Sequence, residues 1–300
     1  MSRHYSIGPE GSQETETARR RGGARRGAVR ALAVGYVAAL VAIPIGALVI
    51  AGIREGPRAI LSALGRAEIR DALALTLAIA AAVAVVNALI GTLTAFVLVR
   101  CRFTGRRVFD ALIDLPGMIP PFVAGVAIVV VLGSGLVGLG PFRWPADAPR
   151  ALPPIVLLAP LLFVTYPIVV RTVEPALRVA DREAENGARA VGAGAGTIRQ
   201  RNLLPAILPA VVSGALATLA RAAGEFGAVI LLVDWSAGAA RPAAVVLADS
   251  VNADRAGATA LALALLALAV ALVAAARATT AVRAADRISG DRGAQPGSLA

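Results

Sequence analysis

"ALALTLAIAAAVAVVNALIGTLTAFVLV", residues 72–99, runs for 28 residues without a charged side chain. A bilayer core about 30 Å thick asks for about 20 apolar residues per helix, so this stretch is long enough to cross as a single span. The rest of the chain has the same character. Hydrophobic residues make up 57% of the 300 and charged residues only 16%, and the mean hydropathy is +0.73. That balance lies far from that of soluble domains and places the chain in a membrane.

Outward from residues 72–99, other stretches meet the same length requirement. They are 29–53, 108–136 (interrupted by Pro116, Pro120 and Pro121), 152–170 (carrying Pro153, Pro154, Pro160 and Pro167), 203–233 and 256–276. The expectation is an all-α membrane protein with about six transmembrane helices. Residues 203–233 exceed one straight crossing, so their start is expected at the interface or as a short separate helix. The apolar core of 29–53 is too long for a secretory signal and no cleavage pattern follows it, so it reads as a retained span. The domain organisation expected is a disordered basic tail at 1–28, a transmembrane domain at 29–276 containing a polar loop at 183–205, and a second tail at 277–300.

The basic residues fix an orientation. Thirty residues are Lys or Arg against nineteen Asp or Glu, a formal net charge of +11, and every basic residue is Arg. Arg19, Arg20, Arg21, Arg25, Arg26 and Arg30 precede the first span, and Arg100, Arg102, Arg106 and Arg107 follow the second. Arg171, Arg178, Arg182, Arg189, Arg199 and Arg201 surround the polar loop, and Arg277, Arg283, Arg287 and Arg292 follow the last span. Six crossings put all four groups on one side, the cytoplasmic side by the positive-inside rule, with both termini there. The loops at 137–151 and 234–255 then face outward. The basic excess is thus a matter of topology and does not call for a nucleic-acid partner. The stretch "REGPRAILSALGRAEIR", residues 54–70, holds four Arg on the outer side of this scheme. Ile60, Leu61, Leu64 and Ile69 lie roughly on one helical face, which predicts an amphipathic helix on the outer interface, with a solvated connector as the alternative.

Several chemistries are excluded. One Cys (Cys101) and one His (His4) supply neither a disulfide nor a metal cluster. A chain without Lys cannot furnish a phosphate-binding loop that ends in Lys, so it is not an ATPase. No nucleophile–base pair or carboxylate cluster suits an intramembrane enzyme. Transport or anchoring remains, and intramembrane polar groups are the place to look for it.

Three groups stand out. Asp110 and Asp114, in "FDALIDLPGMIPPFVAG" (109–125), are four apart and share a helical face. Pro116, Pro120 and Pro121 remove backbone donors just beyond them, which predicts a kinked, path-lining entry; helix capping by Asp is the plainer reading. In "LARAAGEFGAV" (219–229), Arg221 and Glu225 are also four apart and can pair, if only to neutralise one another on insertion. Gly224 and Gly227 permit a break or a close approach, and Phe226 beside Glu225 suits a gate. Third, "EAENGARAVGAGAGTIRQRNLLP" (183–205) offers a helix over 182–191, a turn at Gly192, Gly194 and Gly196, and a second helix capped by Thr197. A flexible Gly-rich connector is its alternative.

This last run resembles the EAA loop of ABC-importer permeases, which reads Glu-Ala-Ala, three residues, Gly, nine residues, an aliphatic residue, any residue, Leu-Pro. Ala188, Gly192, Leu204 and Pro205 match in register. Asn186, Gly187 and Asn202 stand where Glu, Ala and an aliphatic residue belong, and Glu185 sits one position before the expected acid. The stretches at 111–138 and 220–233 resemble the sulfate, molybdate and tungstate branch, with 119–138 nearest to the molybdate/tungstate type.

The resemblance implies a permease subunit of the cell membrane that moves a tetrahedral oxyanion by alternating access, molybdate or tungstate first and sulfate next. It implies an ATPase-coupling role for Glu185, Asn186, Gly187, Ala188, Gly192, Leu204 and Pro205. Asp114, Pro116, Pro120, Arg221, Glu225, Phe226 and Gly227 become the path or gate. The implied partners are a dimer of cytoplasmic ABC ATPases that uses ATP and Mg, an extracytoplasmic oxyanion-binding protein and a second permease copy. The chain itself would hold no cofactor or metal and catalyse no reaction. The competing reading is a secondary transporter or channel without an ATPase, whose mark would be broken helices in two repeated halves.

Overall fold

The computed structural model describes residues 9–133, 154–191, 195–233 and 241–293, with side-chain surroundings given for 29–131, 156–180, 203–233 and 241–279. All regular structure among these residues is helical. The α-helices are α1 (Pro9–Glu55), α2 (Pro57–Leu64), α3 (Ala67–Arg100), α4 (Arg106–Met118), α5 (Pro121–Gly133), α6 (Leu158–Val191), α7 (Ala195–Ala223), α8 (Ala243–Ser250) and α9 (Arg255–Gly293). Short 3₁₀ turns precede α6 and follow α7.

Five helices are long and apolar enough to cross a bilayer, over Val29–Glu55, Ala67–Arg100, Leu158–Ala180, Leu203–Ala223 and Arg255–Thr279, and the bent pair α4–α5 makes a sixth. The chain is therefore an all-α membrane protein of the expected size class. The outer loop at 137–151 and Gly192 of the polar loop lie outside the described residues.

The first unit, residues 1–56, contains α1. The helix starts at Pro9, within the stretch expected as a disordered tail, because Glu, Gln, Ala and Arg between 9 and 28 are good helix formers. It ends at Gly56, whose φ of 86° is the left-handed conformation that glycine adopts without a Cβ penalty.

The second unit, residues 57–300, is built on α3, α6 and α7, with α8 and α9 against them. Two clusters lie along α3. Ile79, Ala80 and Val83 pack with Leu157, Leu161, Ala222, Ala223 and Val229. Ala95 and Leu98, farther along, pack with Val169, Val170, Val173, Leu177, Leu203 and Ile207. Between the clusters, small residues let backbones close up: a Cβ on Gly91 would stand 2.9 Å from Val169 Cβ, and one on Gly214 3.2 Å from Val169 Cα. Buried polar groups tie the same helices. Asn87 donates to Thr165 Oγ1 (2.9 Å) and to the Leu162 carbonyl (3.2 Å), and the hydroxyls of Thr94 and Tyr166 bond at 2.5 Å. In an apolar surround such bonds fix register, since an unmet amide there is costly.

Four expectations change. The crossing expected at 152–170 begins six residues later and runs on through 191. Pro153 and Pro154 precede the helix, and Pro160 sits in its first turn, where no donor is required. Pro167 and Pro175 are carried inside the helix, so Arg171 and Arg178 belong to a span and not to the polar loop. The surplus length of 203–233 is resolved at its far end, by a break after Ala223, while the start continues a helix from Ala195. Residues 182–191 extend α6 instead of forming a separate helix, and Thr197 lies inside α7, past its cap. Finally, α2 covers only Pro57–Leu64. Ile60, Ala63 and Leu64 pack with Ile69 of α3 against Ala243, Val246, Ala260 and Leu261, so its apolar face covers protein, and Leu61 alone of the four named residues points out.

Where α9 begins, Asp254 accepts the Gly257 N–H (3.0 Å) and pairs with Arg66. The Gly257 N–H, with the Arg66 guanidinium adding to it, holds the Asp254 carboxyl below the usual carboxylate range.

Candidate translocation site and coupling segment

Two chain breaks define the site. The first separates α4 from α5, whose axes meet at 107°. Ile119 is extended (φ −71°, ψ 133°) because the proline after it excludes the helical region, and Pro120 and Pro121 offer no N–H to continue the ladder. Pro116 sits buried within α4 and the helix passes through it, so the interruption falls at Ile119–Pro120. The second break follows Ala223. Gly224 and the next residues leave the helix, and the Glu225 carboxylate takes over as a cap: Oε1 accepts the Ala228 N–H (3.2 Å) while Oε2 pairs with Arg221 Nη1. Glu225 is buried, whereas the Arg221 side chain is 44% exposed.

The breaks pack on each other. A Cβ on Gly125 would stand 2.7 Å from the Ala228 carbonyl oxygen, so only glycine fits. A Cβ on Gly227 would meet Phe122 N and Pro121 Cβ at 3.4 Å. Ala124, Val164 and Ala228 form a small cluster here with Ile119 and Phe163. Pro120 and Phe226 are exposed beside it. Behind the second break, Glu225 lines a pocket with Thr76, Ile79, Leu157, Leu161, Ala222 and Pro242.

Asp114 belongs to a different group. Arg171, within the Leu158–Ala180 span, donates from Nε to Asp114 Oδ1 (2.7 Å) and from Nη2 to Asp114 Oδ2 (2.6 Å). Its Nη1 reaches Asp110 Oδ1 (2.7 Å) and Glu174 Oε2 (2.9 Å), and Nη2 also reaches the Asp110 carbonyl (2.9 Å). A guanidinium has five N–H groups, and these contacts use all of them. Glu174 also accepts from Arg178.

The site residues read from sequence thus divide three ways. Arg221, Glu225, Phe226 and Gly227 meet the bend at Pro120; Asp114 joins Arg171 on α6; Pro116 lines the interior of α4. Of the coupling residues, Glu185, Asn186, Gly187 and Ala188 lie on the last turns of α6, and Leu204 and Pro205 are exposed near the start of the span in α7. Sequence reasoning missed Arg171, Glu174 and Gly125. The signal for Arg171 was present: two carboxylates on one helical face in an apolar run require a cation from another span. Among the described residues no His, Cys, Asp and Glu side chains are grouped to hold a metal ion.

Comparison with known proteins accords with this arrangement. Residues 88–280 match the family model described as "Binding-protein-dependent transport system inner membrane component". The chain is 34% identical over 202 residues (67% of this chain, 71% of the relative) to a probable sulfate transport system permease protein cysT of Nephroselmis olivacea. It is 35% identical over 203 residues (67% and 73%) to the sulfate transport system permease protein CysW of Synechocystis sp.. A probable cysT of Helicosporidium sp. is 35% identical over 161 residues, 53% of this chain and 58% of that one. The matched region holds both breaks, Arg171 and the coupling segment. By that match the chain belongs to the family of binding-protein-dependent transport inner-membrane components, and is a multi-pass, non-catalytic permease component of an ABC importer.

Proposed function

We propose that this chain forms the membrane path of an ATP-driven importer for a tetrahedral oxyanion, with sulfate as the principal substrate and molybdate and tungstate as secondary ones. The observation that carries the reading is the match of residues 88–280 to the binding-protein-dependent transport family; the contact between two interrupted helices, at Ile119–Pro120 and at Gly224–Val229, supports a path there. Irregular backbone at membrane depth is stable only where it is buried in protein or lines a cavity, so paired breaks suit a path that opens and closes. The ranking of sulfate follows the matched relatives, which are named as sulfate permeases, and revises the order expected from residues 119–138.

In this mechanism a binding protein delivers the anion outside, and ATP binding closes a pair of cytoplasmic ATPases against residues 185–205. The path between two permease chains then opens outward, and hydrolysis resets it. ATP and Mg are used by the partner, and this chain holds no cofactor. Both termini lie in the cytoplasm, with the bent α4–α5 pair counted as one crossing. A second copy of this chain completes the path in this reading. The test is uptake of labelled sulfate, molybdate and tungstate by cells lacking the chain, with and without complementation. Selective loss of sulfate uptake supports the reading, and unchanged uptake of all three overturns it.

A further inference from the structure

We propose that Arg171 is a positioning residue for transport: it makes the broken helix α4–α5 move as one piece with α6. The inference rests on the importer reading above. Arg171 has no donor left for a passing anion, because all five of its N–H groups are taken by Asp110, Asp114 and Glu174. Four of those five bonds cross to α4, and only the Glu174 bond stays on α6.

The α4 segment needs such a tether. The chain bends at Ile119, three residues past Pro116, so no continuing helix holds the angle of α4, whereas α6 carries Pro167 and Pro175 without a break. Its other ties to α6 are apolar. Ile113 packs in the cluster of Val169, Val170 and Val173, and Gly117 faces the Pro167 ring, where a Cβ would stand 3.7 Å away. The two-pronged pairing of Arg171 with Asp114 is charge-assisted and directional, so it fixes angle as well as distance, which those apolar contacts do not.

What the tether joins is mechanical. Helix α6 runs unbroken from Leu158 through Glu185 to Ala188 of the coupling segment. Arg171 lies fourteen residues before Glu185, about 21 Å along the axis. On the other side of the joint, α4 leads directly into the bend, and α5 presses Gly125 against Ala228. A displacement at the coupling end of α6 therefore reaches the paired breaks through the Arg171–Asp110–Asp114 joint. The Arg171, Asp110 and Asp114 side chains are 33%, 47% and 39% exposed, so the joint sits on an open face and its conservative substitution leaves the core packing untouched.

The test compares carboxylates on the two sides of the joint, in the complete complex of permease, ATPase and binding protein in proteoliposomes. The readout is substrate transported per ATP hydrolysed. Asp114→Asn removes a bond across the helices and is expected to lower that ratio about tenfold while ATP hydrolysis continues. Glu174→Gln weakens only bonds within α6, those to Arg171 and Arg178, and is expected to leave the ratio within about twofold. Equal losses in the two variants, or an unchanged ratio in Asp114→Asn, overturn the proposal. If Asp114→Asn does not assemble, Asp110→Asn, which keeps the Asp114 fork, is read in its place: a lowered ratio supports the joint and a wild-type ratio overturns it. The wild-type complex separates the two levels of the argument. Absence of ATP-driven transport there overturns the importer reading and the joint together, whereas normal wild-type transport with normal Asp114→Asn coupling overturns the joint alone.

Discussion

Arg171 and Arg221, each in a membrane-spanning helix, are used in opposite ways. Arg171 spends every donor and ties one helix to another. Arg221 pairs with Glu225 four residues along the chain and stays 44% exposed. An arginine at membrane depth needs compensation in either case. What differs is where the carboxylate resides: on a neighbouring helix it makes a joint, and on the same chain it caps a break and leaves the neighbouring helix free to move. The second site also has close backbone contact, at Gly125 and Ala228, which suits surfaces that separate and meet again.

The comparison can be broken at several points. The largest effect is expected for Gly125→Val, since the atom it meets is a backbone carbonyl oxygen that cannot rotate aside. Overpacking there should cost about 3 kcal/mol and abolish transport, read as a lower Tm of the purified protein and absent uptake. Glu225→Ala comes next. It leaves the Ala228 N–H unmet and Arg221 unpaired, a loss of about 2 kcal/mol, whereas Glu225→Gln keeps an acceptor for Ala228 and should lose less. Equal destabilisation by the two would show that charge, and not capping, holds the break. Phe226→Ala should leave stability nearly unchanged, because the ring is exposed, but raise substrate flux in the absence of ATP; unchanged background flux would remove Phe226 from the gate.

The smallest effect lies away from both arginines. Asp254→Ala removes a cap from α9 and should cost about 1 kcal/mol. The folded-state pKa of Asp254 is depressed, so its contribution is complete above the unfolded carboxylate value and fades as pH falls through that value toward the folded one. Asp254→Asn preserves the cap but should flatten that part of the acid-side stability profile; an identical profile would deny Asp254 the role.

Much of this was legible in the chain itself. Runs such as 72–99 announce spans because the bilayer sets their length, and Pro120, Pro121, Gly224 and Gly227 announce breaks because they remove donors or side-chain constraint. The four-residue spacing of Arg221 and Glu225 anticipates their pairing, although Glu225 lies past the end of α7. The start of α6 was not legible, since prolines at 153, 154, 160 and 167 read as interruptions until tertiary packing shows which positions need no donor. That Asp110 and Asp114 need a cation was legible, but which arginine supplies it was hidden. That arginine lies some sixty residues away, and Arg171 stands in the sequence like one more basic residue at a loop edge. Gly125 carried no local signal, because its role depends on a carbonyl contributed by residue 228.

The most direct test of the whole account is accumulation of labelled sulfate by proteoliposomes that hold the complete complex, with ATP on the cytoplasmic face and binding protein on the other. The account predicts accumulation that requires both and is indifferent to an imposed proton or sodium gradient. Accumulation driven by such a gradient without ATP would contradict it.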